Sequence, residues 1–204
     1  MLITNISPAV KTPGRYNVSV DGRYAFSLDE LQLAELKLKC GNEIDDDKLN
    51  YLKNESAFGK NYIRAIDLIS RRLRSEQEIR QYGIKKNWTH TNIERVISRL
   101  YQKRYLDDAK FAEVYLQSRL KAGKYSLKRI RLDLKRKGLS DQIINNALEQ
   151  ADVSQSEKDT LKRLVEKKYY HYNNEPKLIN YLARAGFSYD AIKAAISDFR
   201  ASHD

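Results

Sequence analysis

Nine lysines and arginines crowd between positions 119 and 137, where Asp133 is the only acidic residue. Among them, Lys128, Arg131 and Lys135 have the i, i+3 and i+7 spacing that places side chains on one face of a helix. Like charges this close repel, and a phosphate backbone or an acidic protein partner would offset the repulsion. A solvated helix face is the competing interpretation. We call these nine candidate binding residues the basic belt: Arg119, Lys121, Lys124, Lys128, Arg129, Arg131, Lys135, Arg136 and Lys137.

Three further arginines, Arg71, Arg72 and Arg74, lie directly before Ser75 and Glu78, which have the S-x-x-E pattern of a helix capping box. Guanidinium groups at such a helix boundary can hold phosphates through two parallel hydrogen bonds. They can equally well cap the last carbonyls of the preceding helix. The sequence leaves both interpretations open, and we count the three arginines as candidate binding residues.

Two acidic clusters, residues 45–47 and 107–108, raise the alternative of a metal-dependent nuclease, which needs carboxylates that converge on a metal ion. Both clusters lie where helices are predicted to begin, and acidic side chains at such positions stabilise the helix dipole. The sequence contains no phosphate-binding loop, dinucleotide fingerprint, nucleophile elbow or zinc-protease motif. We therefore predict no catalytic residue, no metal site and no cofactor.

The belt belongs to a helical pattern that occurs three times, centred on Asn87, Gly138 and Gly186. The centres are 51 and 48 residues apart (138 − 87 and 186 − 138), a period typical of helical repeat arrays. Three unrelated helix pairs are the alternative. Apolar residues recur at matched offsets in the three copies: Ile79, Ile93, Val96 and Ile97; Ile130, Leu134, Ile144, Ala147 and Leu148; Leu178, Leu182, Ile192, Ala195 and Ile196.

Each copy also carries the signals of a helix–turn–helix boundary. An apolar residue follows each centre at once, and a capping residue follows one position later. Glycine or asparagine at the centre suits the left-handed conformation in which helices often end. Gly83 interrupts the apolar face of the first copy, and the sequence offers only a close helix crossing as a guess. The residues that follow the centres are Trp88 and Thr89, Leu139 and Ser140, and Phe187 and Ser188.

The first 61 residues have a different pattern. Residues 16–20 and 24–28 alternate apolar and polar side chains around an Asp-Gly pair, which predicts a β-hairpin, and residues 2–6 are a candidate third strand. The segment from Ser27 to Glu30 resembles a capping box and predicts a helix that ends at Gly41. A second helix is expected to begin at Asp45 and to be interrupted near Gly59.

Together these patterns predict a mainly α protein: three tandem three-helix repeats behind a small N-terminal cap that contains a β-hairpin. The predicted domains are residues 1–61, 62–106, 107–153 and 154–204. The net charge of +11 lies in the repeats, because residues 1–61 carry eight basic against nine acidic side chains. With Cys40 as the only cysteine, and with neither an apolar spanning segment nor a signal peptide, we expect a cytoplasmic monomer.

Three stretches resemble the RecX family of recombination regulators. Residues 68–80 are similar to its first-repeat signature, residues 105–112 to its second hallmark and residues 129–139 to its third. The opening segment, with Gly14-Arg15-Tyr16 and residues 21–27, is similar to an extension found in some members. Leu73, where the family usually has proline, together with Gly83 and Asn87, departs from the pattern.

The resemblance implies a non-enzymatic regulator of DNA repair, recombination and the SOS response. Family members bind the RecA recombinase filament on single-stranded DNA, lie in its helical groove, and damp ATP hydrolysis, strand exchange and co-protease activity. The expected partners are thus the RecA filament and single-stranded DNA, with double-stranded DNA as a further option. The alternative is a helical-repeat nucleic-acid-binding protein that acts without a recombinase.

Overall fold

The computed structural model describes residues 1–10, 12–151, 156–172 and 174–202. This part of the chain is mostly helical and begins with a three-stranded antiparallel sheet, so the predicted fold class is confirmed. The strands are β1 (Ile3–Pro8), β2 (Arg15–Val20) and β3 (Arg23–Asp29). The helices are α1 (Glu30–Glu35), α2 (Asp46–Arg71), α3 (Glu76–Lys85), α4 (His90–Gln102), α5 (Asp108–Ala122), α6 (Leu127–Arg136), α7 (Asp141–Gln150), α8 (Ser156–Lys168), α9 (Glu175–Arg184) and α10 (Tyr189–Ala201).

The predicted hairpin and its third strand are both present. The strand order is β1-β2-β3, and Asp21 and Gly22 connect β2 to β3 with φ values of 48° and 78°. Positive φ at both central residues matches the right-handed twist of the flanking strands. One face of the sheet is buried with Leu52 of α2 in a single apolar cluster. This cluster includes Ile3, Val18, Phe26 and Leu28.

Arg15 ties the sheet to α2 from a buried position, with only 3% of its surface exposed. Its Nε donates to Ser27 Oγ at 3.2 Å, and a terminal nitrogen donates to the Ser56 carbonyl at 3.4 Å. Burial lowers the pKa of the Arg15 guanidinium, partly opposed by Asp29. The Ser56 hydroxyl completes the link by donating to the Ser27 carbonyl at 2.6 Å.

Two predicted helix boundaries in the N-terminal part were wrong. Ser27 lies in β3 rather than at a helix cap, and the capping box is formed instead by Asp29 and Gln32 at the start of α1. The Asp29 carboxylate accepts the Gln32 amide at 2.8 Å. The helix ends at Glu35 and does not reach Gly41, because Lys37 adopts a left-handed φ of 52°.

The predicted interruption near Gly59 was also wrong, since α2 runs without a break through this buried glycine. A Cβ at Gly59 would lie 2.5 Å from Gln32 Oε1, so glycine makes room for that side chain. The Gln32 amide in turn donates to the Glu55 carbonyl at 2.7 Å. A glycine inside a helix costs only about 1 kcal/mol, which a long helix packed on both sides of it tolerates.

The chain divides into two compact units. The first contains residues 1–73 and 79–105, and the second contains residues 74–78 and 106–204. In the described part of the second unit, one hydrophobic core lies under α5, α6 and α7 and another under α8, α9 and α10. The four domains given by the sequence stay a prediction.

The repeat pattern places its residues as expected. The positions after the three centres, Trp88, Leu139 and Phe187, are all buried. Thr89, Ser140 and Ser188 each cap the following helix by accepting a backbone N–H. Most matched apolar positions are buried, including these fully or almost fully buried side chains: Ile79, Ile130, Leu134, Ile144, Leu178, Leu182 and Ile192.

Gly83 has the structural reason that the sequence did not supply. A Cβ at this position would lie 2.8 Å from the Trp88 ring and 2.9 Å from Ile93, so the glycine lets the helix pack against both. Asn87 has a left-handed φ of 56°, as expected at a helix end.

Candidate nucleic-acid interface

The basic belt is positioned by α6 and the end of α5. Ser126 caps α6 by accepting the Arg129 amide at 3.1 Å. The inner face of the helix carries Ile130 and Leu134, whose exposed fractions are 1% and 0%. The opposite face carries Arg131 and Lys135, whose side chains are 38% and 47% exposed. The helix therefore presents these two cations away from the core, as their spacing predicted.

An acidic residue of the chain itself partly neutralises the outer face of α6. Asp141, at the start of α7, lies 2.9 Å from Lys135 Nζ and 3.6 Å from Arg131. Arg131 also donates to Asn145 Oδ1. The hydrogen bond from Lys135 is the main cause that lowers the pKa of Asp141. Part of the repulsion expected from the sequence is thus offset inside the protein. Asp141, directly after the Ser140 cap, is a partner of the belt that sequence reasoning missed.

Two cations of the belt contribute to packing. Lys137 Nζ lies 2.9 Å from Glu78 Oε1, in a pair whose side chains are only 24% and 16% exposed. The same ammonium group lies 5.6 Å from the Phe111 ring and 5.4 Å from the Tyr115 ring. Arg129 is half-buried and lies 3.3 Å from Asp133.

The remaining cations extend the belt along the end of α5. Arg119 lies over two rings, 4.8 Å from the Tyr115 centroid and 5.4 Å from the Tyr125 centroid, which holds its guanidinium in place. Arg136 is 62% exposed and 3.8 Å from Asp133. The other exposed members of this row are Lys121, Lys124 and Lys128.

The middle helices of the three repeats are α3, α6 and α9. The ends of α6 contact the start of α3 and the end of α9, and we call these two contacts repeat joints. In the first joint, the Ser75 hydroxyl before α3 donates to the Lys137 carbonyl at 2.8 Å. In the second, the Ser126 amide before α6 donates to the Ala185 carbonyl at 3.0 Å. The glycine that follows each carbonyl, Gly138 or Gly186, has a left-handed φ and lies against the incoming helix.

Each joint also contains a carboxylate from the first helix of the next repeat. Asp108 accepts the Glu76 amide at 2.8 Å, and Glu157 accepts the Leu127 amide at 3.2 Å. These bonds satisfy N–H groups that a helix start leaves without a partner. Burial raises the pKa of Asp108, although the bond from Glu76 opposes the change.

Carboxylates of both acidic clusters accept hydrogen bonds at helix starts. Asp107 caps α5 by accepting the Lys110 amide at 2.9 Å, and Asp45 caps α2 by accepting the Lys48 amide at 2.7 Å. Among the described residues, no group of three or more histidine, cysteine or acidic side chains is placed to hold a metal ion. In the same part of the chain, no helix is long and apolar enough to cross a membrane.

The three arginines before α3 have different environments. Arg71 pairs with Asp67 at 2.8 Å on an exposed part of α2. Arg72 donates to the Leu73 carbonyl at 2.8 Å. Arg74 is half-buried and belongs to the second compact unit, whereas Arg71 and Arg72 belong to the first.

Comparison with protein families finds three matching segments. Residues 107–148 match the second three-helix domain of RecX, residues 62–100 match its first three-helix domain, and residues 1–45 match the RecX N-terminal domain.

Curated proteins and solved structures give a consistent result. A regulatory protein RecX of Listeria monocytogenes is 32% identical over 97% of this chain and 76% of its own length. The same protein of Bacillus subtilis strain 168 is 30% identical over 99% of this chain and 78% of its own length. A crystal structure titled regulatory protein RecX superposes with a TM-score of 0.74 at 26% identity, covering 97% of this chain and 98% of the other. RecX from Lactobacillus salivarius gives a TM-score of 0.56, also at 26% identity, over 70% of this chain and 96% of that structure.

Proposed function

This chain belongs to the RecX family, and we propose that it is a non-enzymatic regulator that binds RecA filaments on single-stranded DNA. It lies in the groove of the filament and inhibits ATP hydrolysis, strand exchange and the other activities of the recombinase. The observation that carries the proposal is the family match over nearly the whole chain. Since the proposed partner is a filament on DNA, we propose that the protein acts in the cytoplasm and as a monomer.

The basic belt supports this proposal as a surface for phosphates or for acidic side chains of the recombinase. Its exposed members are not needed to fill a core, since Ile130 and Leu134 occupy the inner face of the same helix. Each lysine or arginine that neutralises a phosphate releases a bound counterion, which makes binding strong at low salt and weak at high salt. We propose that the exposed part of the belt makes this contact, with Arg71 and Arg72 as separate candidate contacts in the other compact unit.

The absence of catalysis is part of the proposal. The two acidic clusters, which are the only nuclease candidates suggested by the sequence, contain carboxylates that accept hydrogen bonds from helix-start amides. Carboxylates committed to such caps are poorly placed to converge on a metal ion. A nuclease would cleave labelled single strands in the presence of magnesium and would lose that activity when Asp107 and Asp108 are changed.

The decisive experiment measures ATP hydrolysis by recombinase on single-stranded DNA while this protein is added at up to equal amounts. We expect hydrolysis to slow, and we expect the protein to co-sediment with the filaments. Co-sedimentation with bare single strands is measured separately. Binding to bare strands with unchanged hydrolysis would reject filament regulation in favour of a nucleic-acid-binding protein that acts without a recombinase.

A further inference from the structure

A cleft of about 310 Å³ lies in front of the N-terminal end of α9, in the third repeat. Its wall contains three tyrosines, Tyr169, Tyr170 and Tyr172, with Asn174 and Arg200 at its polar side. The volume is at the lower end of the range seen for small-ligand sites. The tyrosines follow α8, whose last turn carries Lys167 and Lys168.

In the other two repeats, the end of a neighbouring helix lies in front of the middle helix, at a repeat joint. In front of α6, the Ser126 amide bonds the Ala185 carbonyl, and Gly186 lies against the Ser126 side chain. At the start of α9, Asn174 takes the place of Ser126, and its side chain makes no capping hydrogen bond among the described residues. The amide group of Asn174 therefore has donor and acceptor capacity that the helix cap does not use.

Tyr170 is the most exposed ring of the cleft, with 73% of its surface in solvent. A flat ring with so little of its surface covered leaves at least one face open. Its neighbours nevertheless hold it, because the Tyr169 ring lies 5.4 Å away in a T-shaped contact and the Phe199 ring lies 6.0 Å away. Phe199 is itself buried, so one side of the Tyr170 ring lies against the apolar core under α8, α9 and α10.

The charges around the cleft do not oppose a nucleic acid. Glu175 is the acidic residue of the cleft wall, and it accepts hydrogen bonds from Lys193 and Arg200, both at 2.6 Å. These bonds lower the pKa of Glu175, with Lys193 as the larger cause. The Arg200 Nε also donates to the Tyr169 hydroxyl at 2.7 Å. One carboxylate is thus matched by two cations, which leaves this group of three with an excess positive charge.

We propose that this cleft binds a base of single-stranded nucleic acid, which stacks on the Tyr170 ring while Asn174 hydrogen-bonds to the edge of the base. Aromatic rings beside cations are the usual device for holding single strands without strong sequence preference. This inference rests on the single-strand contact proposed above and locates a second point of that contact outside the basic belt.

The internal repeat favours a nucleic acid over a protein segment as the occupant. The spacing of 48 residues that matches Asn174 to Ser126 places Tyr170 at the position of Ala122, directly after Lys121. Lys121 and Lys124 are exposed members of the basic belt. The tyrosines of the third repeat therefore correspond to a basic segment of the second repeat, which favours a nucleic acid as the occupant.

The test compares binding of two labelled oligomers of equal length, an oligothymidylate and a strand whose residues are abasic, by fluorescence anisotropy in the same buffer. Stacking contributes enough per base that we expect the intact protein to prefer oligothymidylate by about fivefold or more. Tyr170→Leu should remove most of this preference and leave the affinity for the abasic strand unchanged. Tyr170→Phe, which keeps the ring, should retain the preference.

Tyr24→Leu is the matched control, because Tyr24 is an exposed tyrosine on the N-terminal sheet, 59% in solvent. Circular dichroism checks that each variant is folded. Equal affinity of the intact protein for both strands, no binding to bare strands, or equal weakening of both strands by Tyr170→Leu would each overturn the proposal. Loss of filament inhibition with unchanged binding to bare strands would also overturn it and would indicate a recombinase contact at Tyr170. Inhibition of recombinase ATP hydrolysis by the intact protein is a separate readout, so the proposed function can stand or fall independently.

Discussion

The C-terminal end of α6 and its outer face carry cations from the same short stretch of sequence, but the environments of these cations differ. At the C-terminal end, Lys137 pairs with Glu78 in a largely buried contact, and its own carbonyl accepts the Ser75 hydroxyl. On the outer face, Arg131 and Lys135 share one acidic partner, Asp141, and remain substantially exposed.

This difference separates positions that hold repeats together from positions that are available for a ligand. A partly buried pair leaves an unpaired charge when one partner is removed, so its loss is felt as instability. An exposed pair contributes little to stability, because solvent screens it. Substitutions at the ends of α6 should therefore change stability, and substitutions on its outer face should change binding.

The largest effect is expected at the second repeat joint. A Cβ at Gly186 would overlap the Ser126 hydroxyl and lie 2.6 Å from Arg129 Cβ, and the residue has φ of +99°. Gly186→Ala combines overpacking with backbone strain, and we expect it to lower the free energy of unfolding by about 3 kcal/mol. Chemical denaturation followed by circular dichroism measures this change.

Gly123→Ala is the control for that measurement, in the same compact unit. Gly123 also has a positive φ, but the nearest atom to its added Cβ belongs to the Arg163 side chain, at 3.8 Å. We expect a loss of about 1 kcal/mol, from backbone strain alone. Equal losses at the two glycines would show that the joint is not tightly packed.

The next effect concerns binding. Changing Lys128, Arg131 and Lys135 together to alanine should weaken filament binding on the order of tenfold at low salt and leave thermal stability nearly intact. If the contacts are phosphates, each one lost should reduce the slope of log K against log salt by about 0.7. If the contacts are acidic recombinase side chains, affinity for bare DNA should hardly change.

The control for the triple variant removes three exposed lysines elsewhere, Lys39, Lys53 and Lys85, and so lowers the net charge by the same amount. It should bind filaments better than the belt variant does. If the belt variant binds filaments as tightly as the unmodified protein does, the outer face of α6 is only a solvated surface.

A smaller effect is expected for Lys137→Met, which keeps most of the apolar stem but removes the ammonium group that pairs with Glu78. We expect about 1 kcal/mol of destabilisation, because the Glu78 carboxylate is left with little solvent around it. Lys128→Met, on the exposed face, should leave stability unchanged. Thermal melts of the two variants make the comparison, and a stable Lys137→Met protein would contradict the structural role assigned to this lysine.

The sequence predicted the repeats because their apolar spacing is local and is copied three times. It predicted the orientation of the outer face of α6 for the same reason. It did not predict the partners of the belt, since Glu78 precedes Lys137 by 59 residues and meets it only through the fold. The role of Gly83 was hidden in the same way, because the need for glycine comes from Trp88 and Ile93 packed against it.

The boundaries of α1 and α2 were mispredicted for a related reason. Ser27 lies in a sequence typical of a helix cap, but its backbone pairs with β2 and its N–H donates to the Ser56 hydroxyl. Gly59 is a residue type that favours a helix break, but here the Gln32 side chain packs against it within α2. In both places a tertiary contact decides between local structures whose intrinsic stabilities differ by only about 1 kcal/mol.

The smallest expected effect tests the carboxylate of the first repeat joint. Burial raises the pKa of Asp108 in the folded protein, and the nearby charges of Glu76, Asp107 and Glu78 add to the rise, although the hydrogen bond from the Glu76 amide opposes it. The folded state therefore binds the proton more tightly than the unfolded chain does. Stability is then highest below the ordinary aspartate pKa, and the contribution of this residue is lost as pH rises through the raised value.

Asp108→Asn keeps an oxygen that can accept the Glu76 amide but cannot ionise. Relative to the unmodified protein, the variant should gain stability as pH rises from about 4 to about 7, by less than about 1 kcal/mol. Denaturant unfolding at several pH values measures the difference. A variant that instead loses stability as pH rises would show that the charge of the carboxylate, and not only its hydrogen bond, stabilises the start of α3.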